Sequence, residues 1–142
     1  MNGQRDDFWM QKAFNQAKLA EYEGEVPVGA VVIIDNQLIA QGFNQPIQSN
    51  DATAHAEIVA IRKAGILVNN YRLVGAQVYV TLEPCIMCLG AMMHARISRL
   101  VYGASDSKFA ATTKLSVPFE VTGGVMSKAC QQLIQQFFRQ KR

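Results

Sequence analysis

Cys85 and Cys88 stand three residues apart behind Pro84, and His55 and Glu57 stand two apart about thirty residues upstream. Thiols at i and i+3 of a helix share a face, and a separate imidazole completes three protein ligands for one zinc ion, with a fourth position left for water. Three ligands and an open position describe a catalytic site. A closed structural site needs a fourth Cys or His, and the remaining candidates, Cys130 and His94, have no ligand-like neighbours. Zinc held by His55, Cys85 and Cys88 brings a water's pKa toward neutrality, and Glu57 is the group to move the protons. On a regular helix, residues i and i+2 do not face each other. An irregular first turn or the reach of the Glu side chain must bring His55 and Glu57 to one centre. C-x-x-C alone also occurs in redox sites and zinc ribbons, and His-x-Glu alone is weaker still. Together, each opening a helix and with Pro before the first Cys, they point to hydrolytic zinc chemistry.

The elements that must hold these residues can be read along the chain. Residues 6–23 predict an amphipathic helix with Trp9, Ala13, Ala17 and Ala20 on one stripe, Met10 and Phe14 beside it, and Gly24 ending it. The apolar run 28–34 predicts a central strand buried on both faces, and Asp35-Asn36 a tight hairpin turn into a strand over 37–43. A polar loop with Pro46 follows. Asp51 is then the expected N-cap of a helix from Ala52 to Ala64, stopped by Gly65, which puts His55 and Glu57 in its opening turns. A strand over 77–82 feeds Pro84, expected at the first helical position of a helix reaching Arg96. The thiols thus sit at a helix N-terminus, which favours thiolate. A strand over 99–103, a short one over 119–121 and a helix over 126–139 complete the order. That last helix carries a regular stripe of Met126, Ala129, Cys130, Leu133, Ile134, Phe137 and Phe138, in which Cys130 reads as a buried small hydrophobe. Helices alternating with strands through the middle predict parallel pairing with crossovers, in a layered α/β domain with one hairpin at its start. Sites in such sheets form outside the carboxyl ends of the strands.

The 142 residues suit a single domain, 1–142, that buries roughly 70% of the surface of its unfolded chain. Three cysteines, no secretory segment and no 18-residue apolar run predict a reduced, cytoplasmic setting away from membranes. The net charge of +3 is uneven. Residues 1–60 hold three Lys/Arg against eight Asp/Glu, and residues 61–142 hold eleven against three. The second half is either an unevenly charged solvated surface or a face for a polyanion.

H-x-E followed by P-C-x-x-C is the signature of zinc nucleobase deaminases, and from about Trp9 to Lys108 the sequence resembles the bacterial tRNA-specific adenosine deaminases. The stretches that carry the resemblance are Glu25-Val26-Pro27-Val28-Gly29-Ala30-Val31, Gly42-Phe43-Asn44-Gln45-Pro46-Ile47, Thr53-Ala54-His55-Ala56-Glu57-Ile58, and Thr81 to Cys88 continuing through His94-Ala95-Arg96-Ile97. Phe137-Phe138-Arg139 is similar to the last helix of that family. The resemblance implies a three-layer α/β/α cytidine deaminase-like fold with a central, mostly parallel sheet of about five strands. It implies hydrolytic deamination of adenosine to inosine at the wobble position of a tRNA anticodon, by a homodimer with one Zn2+ per chain held by His55, Cys85 and Cys88. Activated water attacks C6 of the flipped-out base, and Glu57 protonates N1 and then the departing ammonia. Asn44 holds the purine edge, Val28 lines the base pocket, and Ala56, Asp106 and Lys108 complete the substrate-binding set. Lys108, Lys114, Arg139, Lys141 and Arg142 are candidates for phosphate contacts in the anticodon loop.

The chain departs from that family after Lys108, where residues 109–118 are shorter than usual and lack Gly, and at Ala52, which replaces a customary proline. Neither change touches the zinc ligands. Both bear on the nucleotides beside the target, with Phe109 either a stacking platform or a loop anchor. The competing functions are a zinc deaminase with another substrate (adenine in single-stranded DNA, or a free base or nucleoside such as guanine or cytosine) and a nucleic-acid-binding module with a structural zinc. Glu57 speaks against the last, since a non-catalytic zinc needs no proton shuttle.

Overall fold

The computed structural model describes residues 2–106, 108 and 111–141. Helix α1 (Asn2–Tyr22) precedes a hairpin of β1 (Gly29–Ile34) and β2 (Gln37–Phe43). Asp35 and Asn36 both take positive φ, 50° and 62°, the backbone that a two-residue hairpin of matching twist requires. A short α2 (Pro46–Ser49) leads to α3 (Ala56–Val68), β3 (Gln77–Leu82), α4 (Ile86–Ala95), β4 (Arg99–Ala104), β5 (Glu120–Thr122) and α5 (Ser127–Gln140).

The strands form one sheet in the order β2-β1-β3-β4-β5. β3, β4 and β5 pair in parallel, while β1 runs antiparallel to both its neighbours, β2 and β3. Four of the five strands therefore point the same way. The expected parallel crossover exists between β2 and β3, but the hairpin has placed β1 between them, so half of the ladders are antiparallel. Alternation along the strands feeds two cores. Val31, Ile33, Tyr79 and Val101 pack with Trp9, Met10 and Ala13 of α1. Ala30, Val32, Val78, Val80 and Leu100 pack with Ile58 of α3 and Leu89 and Met92 of α4. Helix α5 lies on the α1 face over β4, where a Cβ on Gly103 would stand 2.7 Å from Cys130 Sγ. Helices thus cover both faces, as expected. Cys130 is buried, and that burial pushes its thiol up to about 11.

Helix α1 begins at Asn2, four residues before the expected start, and three boundaries of the helices at the candidate ligands also differ from the sequence reading. The helix expected from Ala52 begins at Ala56, because Asp51 closes a local turn instead of capping it: its Oδ1 accepts the Thr53 N–H at 2.9 Å and the Thr53 hydroxyl at 2.7 Å. Gly65 does not stop that helix, which runs three residues further and ends on Asn69 in the left-handed conformation. Pro84 is not the first helical residue. Cys85 is the N-cap of α4, and the Pro84 carbonyl accepts the Ala111 N–H at 3.2 Å. α2 lies within the expected loop. No described helix is long and apolar enough to cross a membrane.

Candidate active site

The carboxyl ends of β2, β3 and β4 and the start of β1 share one edge of the sheet, and the N-termini of α3 and α4 meet there. His55 and Cys85 are the N-caps of these helices, both in extended backbone (φ −70°, ψ 155° and φ −77°, ψ 175°). Their side chains leave the chain before the helical repeat begins. This removes the i, i+2 difficulty: His55 stands outside the helix and Glu57 in its first turn, so both reach one centre. Cys88, one turn into α4, is fully buried.

His55 Nδ1 lies 3.7 Å from Cys85 Sγ and 3.5 Å from Cys88 Sγ, and the three ligand atoms all fall within 4.8 Å of one another. A tetrahedral zinc with bonds of about 2.3 Å to sulfur and 2.0–2.1 Å to nitrogen separates N from S by about 3.6 Å. The observed spacings match that edge, so this His/Cys/Cys group is built to hold one zinc ion. The three groups also act on one another through these contacts. Hydrogen bonds from the Cys88 thiol and the His55 ring draw the Cys85 thiol down to about 4. Cys88 is driven upward by its bond to Cys85 and by burial, and the Cys85 contact holds the His55 ring above the usual imidazole range. Burial pushes Glu57 up to about 7, in part offset by the nearby His55 charge and a hydrogen bond from Cys88.

The group opens into a cavity of about 930 Å3 that Val28, Asn44, Glu57, Asp106 and Lys108 help to line. Asn44 Oδ1 accepts the Ala56 N–H at 2.8 Å. The carboxamide oxygen is thereby committed to the first turn of α3, and the Nδ2 amide remains to face a ligand. Ala56 departs from its expected place: its methyl is fully buried in the core, its N–H is taken by Asn44, and it does not line the cavity. Asp106 Oδ1 accepts the Lys108 N–H at 2.9 Å, so both expected loop residues are at the rim. Ala52 lines the rim as well. Lys114, Arg139 and Lys141 are exposed, whereas Phe109 and Arg142 lie outside the described residues.

Two kinds of residue escaped the sequence reading. Gln131, Ile134, Gln135 and Phe138 of α5 form a wall of the cavity. The expected apolar stripe divides, with Cys130, Leu133 and Phe137 facing the sheet and Ile134 and Phe138 facing the cavity. Two adjacent aromatics at 137 and 138 were the available signal, since neighbours on a helix point about 100° apart. Glu25 and Glu83 are buried carboxylates beside the site. Glu25 accepts the N–H groups of Ile47 (3.3 Å) and Gln48 (2.8 Å), fixing α2 next to Asn44.

Residues 3–104 match the family model of the cytidine and deoxycytidylate deaminase zinc-binding region. The chain is 41% identical to the tRNA-specific adenosine deaminase of Buchnera aphidicola subsp. Schizaphis graminum, an alignment covering 100% of this chain and 99% of the relative. It is 44% identical to the tRNA-specific adenosine deaminase of Haemophilus influenzae, covering 96% and 85%. A solved structure from a study of A-to-I editing by tRNA:A34 deaminases at the wobble position matches with a TM-score of 0.86 and 38% identity, over 89% of this chain and 98% of that one.

Proposed function

Because the chain belongs to the cytidine and deoxycytidylate deaminase zinc-binding family, on the branch of the tRNA-specific adenosine deaminases, we propose that it converts adenosine to inosine at the wobble position of a tRNA anticodon, as a cytoplasmic homodimer. The observation that carries the chemistry is the burial of Glu57 against the His55, Cys85 and Cys88 group at one end of the cavity. Zinc bound by those three residues supplies a hydroxide-like nucleophile near neutral pH. Glu57 does the proton work. Buried against the three ligand residues and facing the cavity, it is placed to accept the proton of the attacking water and pass it to N1 of the purine. Glu57 then takes the remaining proton from the new C6 hydroxyl and delivers it to the amine; the C6–N bond breaks, ammonia leaves, and the C6 oxygen remains as the carbonyl of inosine.

The substrate side follows from the lining. Val28 meets the flat face of the base, and Asn44 Nδ2 donates to the purine edge while Ala56 holds its oxygen in place. The volume admits more than a single base. Small-molecule pockets span roughly 300–1,000 Å3, and a cavity of about 930 Å3 leaves room for sugar, phosphate and a neighbouring nucleotide beyond one purine. Asp106 and Lys108 stand on the rim where those groups would pass, and the basic second half of the chain favours a polyanion.

Inosine formation on an anticodon stem-loop, set against free adenosine, free guanine and a single-stranded DNA oligomer, tests the proposal. Turnover confined to the free compounds overturns it, and turnover of the DNA adenine at the rate of the RNA adenine removes the claim to RNA.

A further inference from the structure

Glu83 sits beside the cavity at 7% exposure, one residue before Pro84, and no step of the deamination uses it. Both of its carboxylate oxygens are taken up by the chain beyond β4. Oε1 accepts the Asp106 N–H at 3.2 Å, and Oε2 accepts the Thr112 hydroxyl. The backbone adds two bonds between the same segments: the Glu83 N–H donates to the Ala104 carbonyl at 2.8 Å, and the Ala111 N–H donates to the Pro84 carbonyl at 3.2 Å. Residues 104, 106, 111 and 112 are thereby gripped from one short stretch, two on either side of Lys108.

The grip passes outward. Asp106, held through its N–H, offers its own Oδ1 to the Lys108 N–H at 2.9 Å, so the carboxylate of Glu83 fixes Asp106 and Asp106 fixes Lys108. A buried carboxylate loses most of its hydration, and donors must replace it. Two of those donors come from 23 and 29 residues away, from a segment with two cavity-lining charged residues. An apolar residue at 83 would pack at least as well and would hold nothing. We propose that Glu83 is a positioning residue for substrate recognition: it ties the chain after β4 to the Pro84-Cys85 turn, so that Asp106 and Lys108 meet the nucleotides flanking the target base. Loss of the carboxylate frees the rim and leaves the metal ligands and Glu57 in place.

This inference rests on the RNA-deaminase reading above, and the experiment separates the two. Steady-state kinetics on an anticodon stem-loop are measured for the zinc-loaded wild type, Glu83→Ala, Glu83→Gln and Thr112→Val, with zinc content determined for each. Glu83→Ala is expected to raise KM about tenfold, with kcat within about threefold of wild type and one zinc per chain, as the loss of charge-assisted bonds that organise binding. Glu83→Gln, which keeps an acceptor for the Asp106 N–H and accommodates the Thr112 hydroxyl, is expected to restore KM to within about threefold. Thr112→Val keeps Glu83 and the side-chain shape, removes one bond, and is expected to raise KM by about threefold. It carries the test if Glu83→Ala fails to fold. An unchanged KM in Glu83→Ala or Thr112→Val overturns the positioning role alone. Loss of zinc and kcat at constant KM overturns it too, by assigning Glu83 to the metal centre. A wild type that makes no inosine on the stem-loop overturns both readings.

Discussion

Arg99 and Asp6 meet on the α1 face of the sheet, and His55, Glu57, Cys85 and Cys88 meet at the edge that the N-termini of α3 and α4 share. Both clusters bury ionisable side chains, yet they are completed differently. Asp6 receives two hydrogen bonds from Arg99, at 2.7 and 2.8 Å, and a third from the Tyr79 hydroxyl at 2.6 Å. Arg99 also donates to Gln77 and Thr122, and its Nε lies 2.7 Å from a Glu120 carboxylate oxygen. Charge there is balanced within the chain. At the other site two thiols and a carboxyl, three groups that ionise to anions, have one imidazole among them. Mutual contacts and burial hold Cys85 low and Cys88 and Glu57 high. A divalent cation supplies what that group lacks. Two buried polar clusters in one fold thus differ in role: the first pairs opposite charges across α1 and the sheet, and the second gathers ligand atoms beside a cavity.

The sharpest way to break this contrast is to alter the incomplete cluster. Glu57→Ala is expected to keep about one zinc per chain, by elemental analysis, and to lose about a thousandfold in kcat. Cys88→Ala is expected to lose the zinc itself. Near-normal turnover in Glu57→Ala would remove the proton-shuttle role, and retained zinc in Cys88→Ala would remove the ligand role. The complete cluster predicts the reverse profile. Arg99→Met leaves Asp6 buried without its partner and should lower unfolding stability by about 3 kcal/mol in urea denaturation, with kcat per zinc unchanged. Replacing both residues, Asp6→Leu with Arg99→Met, should recover most of that loss, because no charge is then left unpaired. A double variant no more stable than Arg99→Met would show that the pair contributes through its shape.

The smallest effect is a dependence on pH. Burial pushes the Asp6 carboxyl up, but the bonds from Arg99 and Tyr79 and the Arg99 charge outweigh it, so its pKa lies below the ordinary 3.8. A carboxyl with a depressed folded-state pKa stabilises the fold fully above its unfolded value, and that stability is lost as pH falls through the folded value. The urea midpoint of wild type should therefore fall more steeply below about pH 3.8 than that of Asp6→Asn at equal zinc. Parallel curves for the two proteins would mean that Asp6 has the same pKa folded and unfolded.

What could be read in advance divides along the same line between local and distant causes. The ligands His55, Cys85 and Cys88 and the shuttle Glu57 carry their chemistry in residue type and spacing, and strands β1 and β3 announce themselves by apolar runs. The start of α3 was misplaced because Asp51 had two local uses, a cap and a turn, and Thr53 supplied the better donors. β1's place between β2 and β3 depends on which strand the α3 crossover returns beside, and no local pattern encodes that. Glu25 and Glu83 take donors from residues 22 or more positions away, so alone they read as ordinary acids. Ala56 was read as a contact of the substrate, but its N–H was already engaged by Asn44.

Helix α5 rests on β4 where Gly103 has no side chain, with Cys130 Sγ 2.7 Å from the point a Cβ would occupy. The adjoining face of the same helix carries Gln131, Ile134, Gln135 and Phe138 into the cavity wall. The helix is therefore a lever with its seat at Gly103 and its working edge at the mouth. A methyl added at 103 would meet Cys130 and the Thr81 carbonyl at once, so the helix and the strand cannot keep their present seat. The wall that meets the cavity is thus seated on packing that lines no part of it.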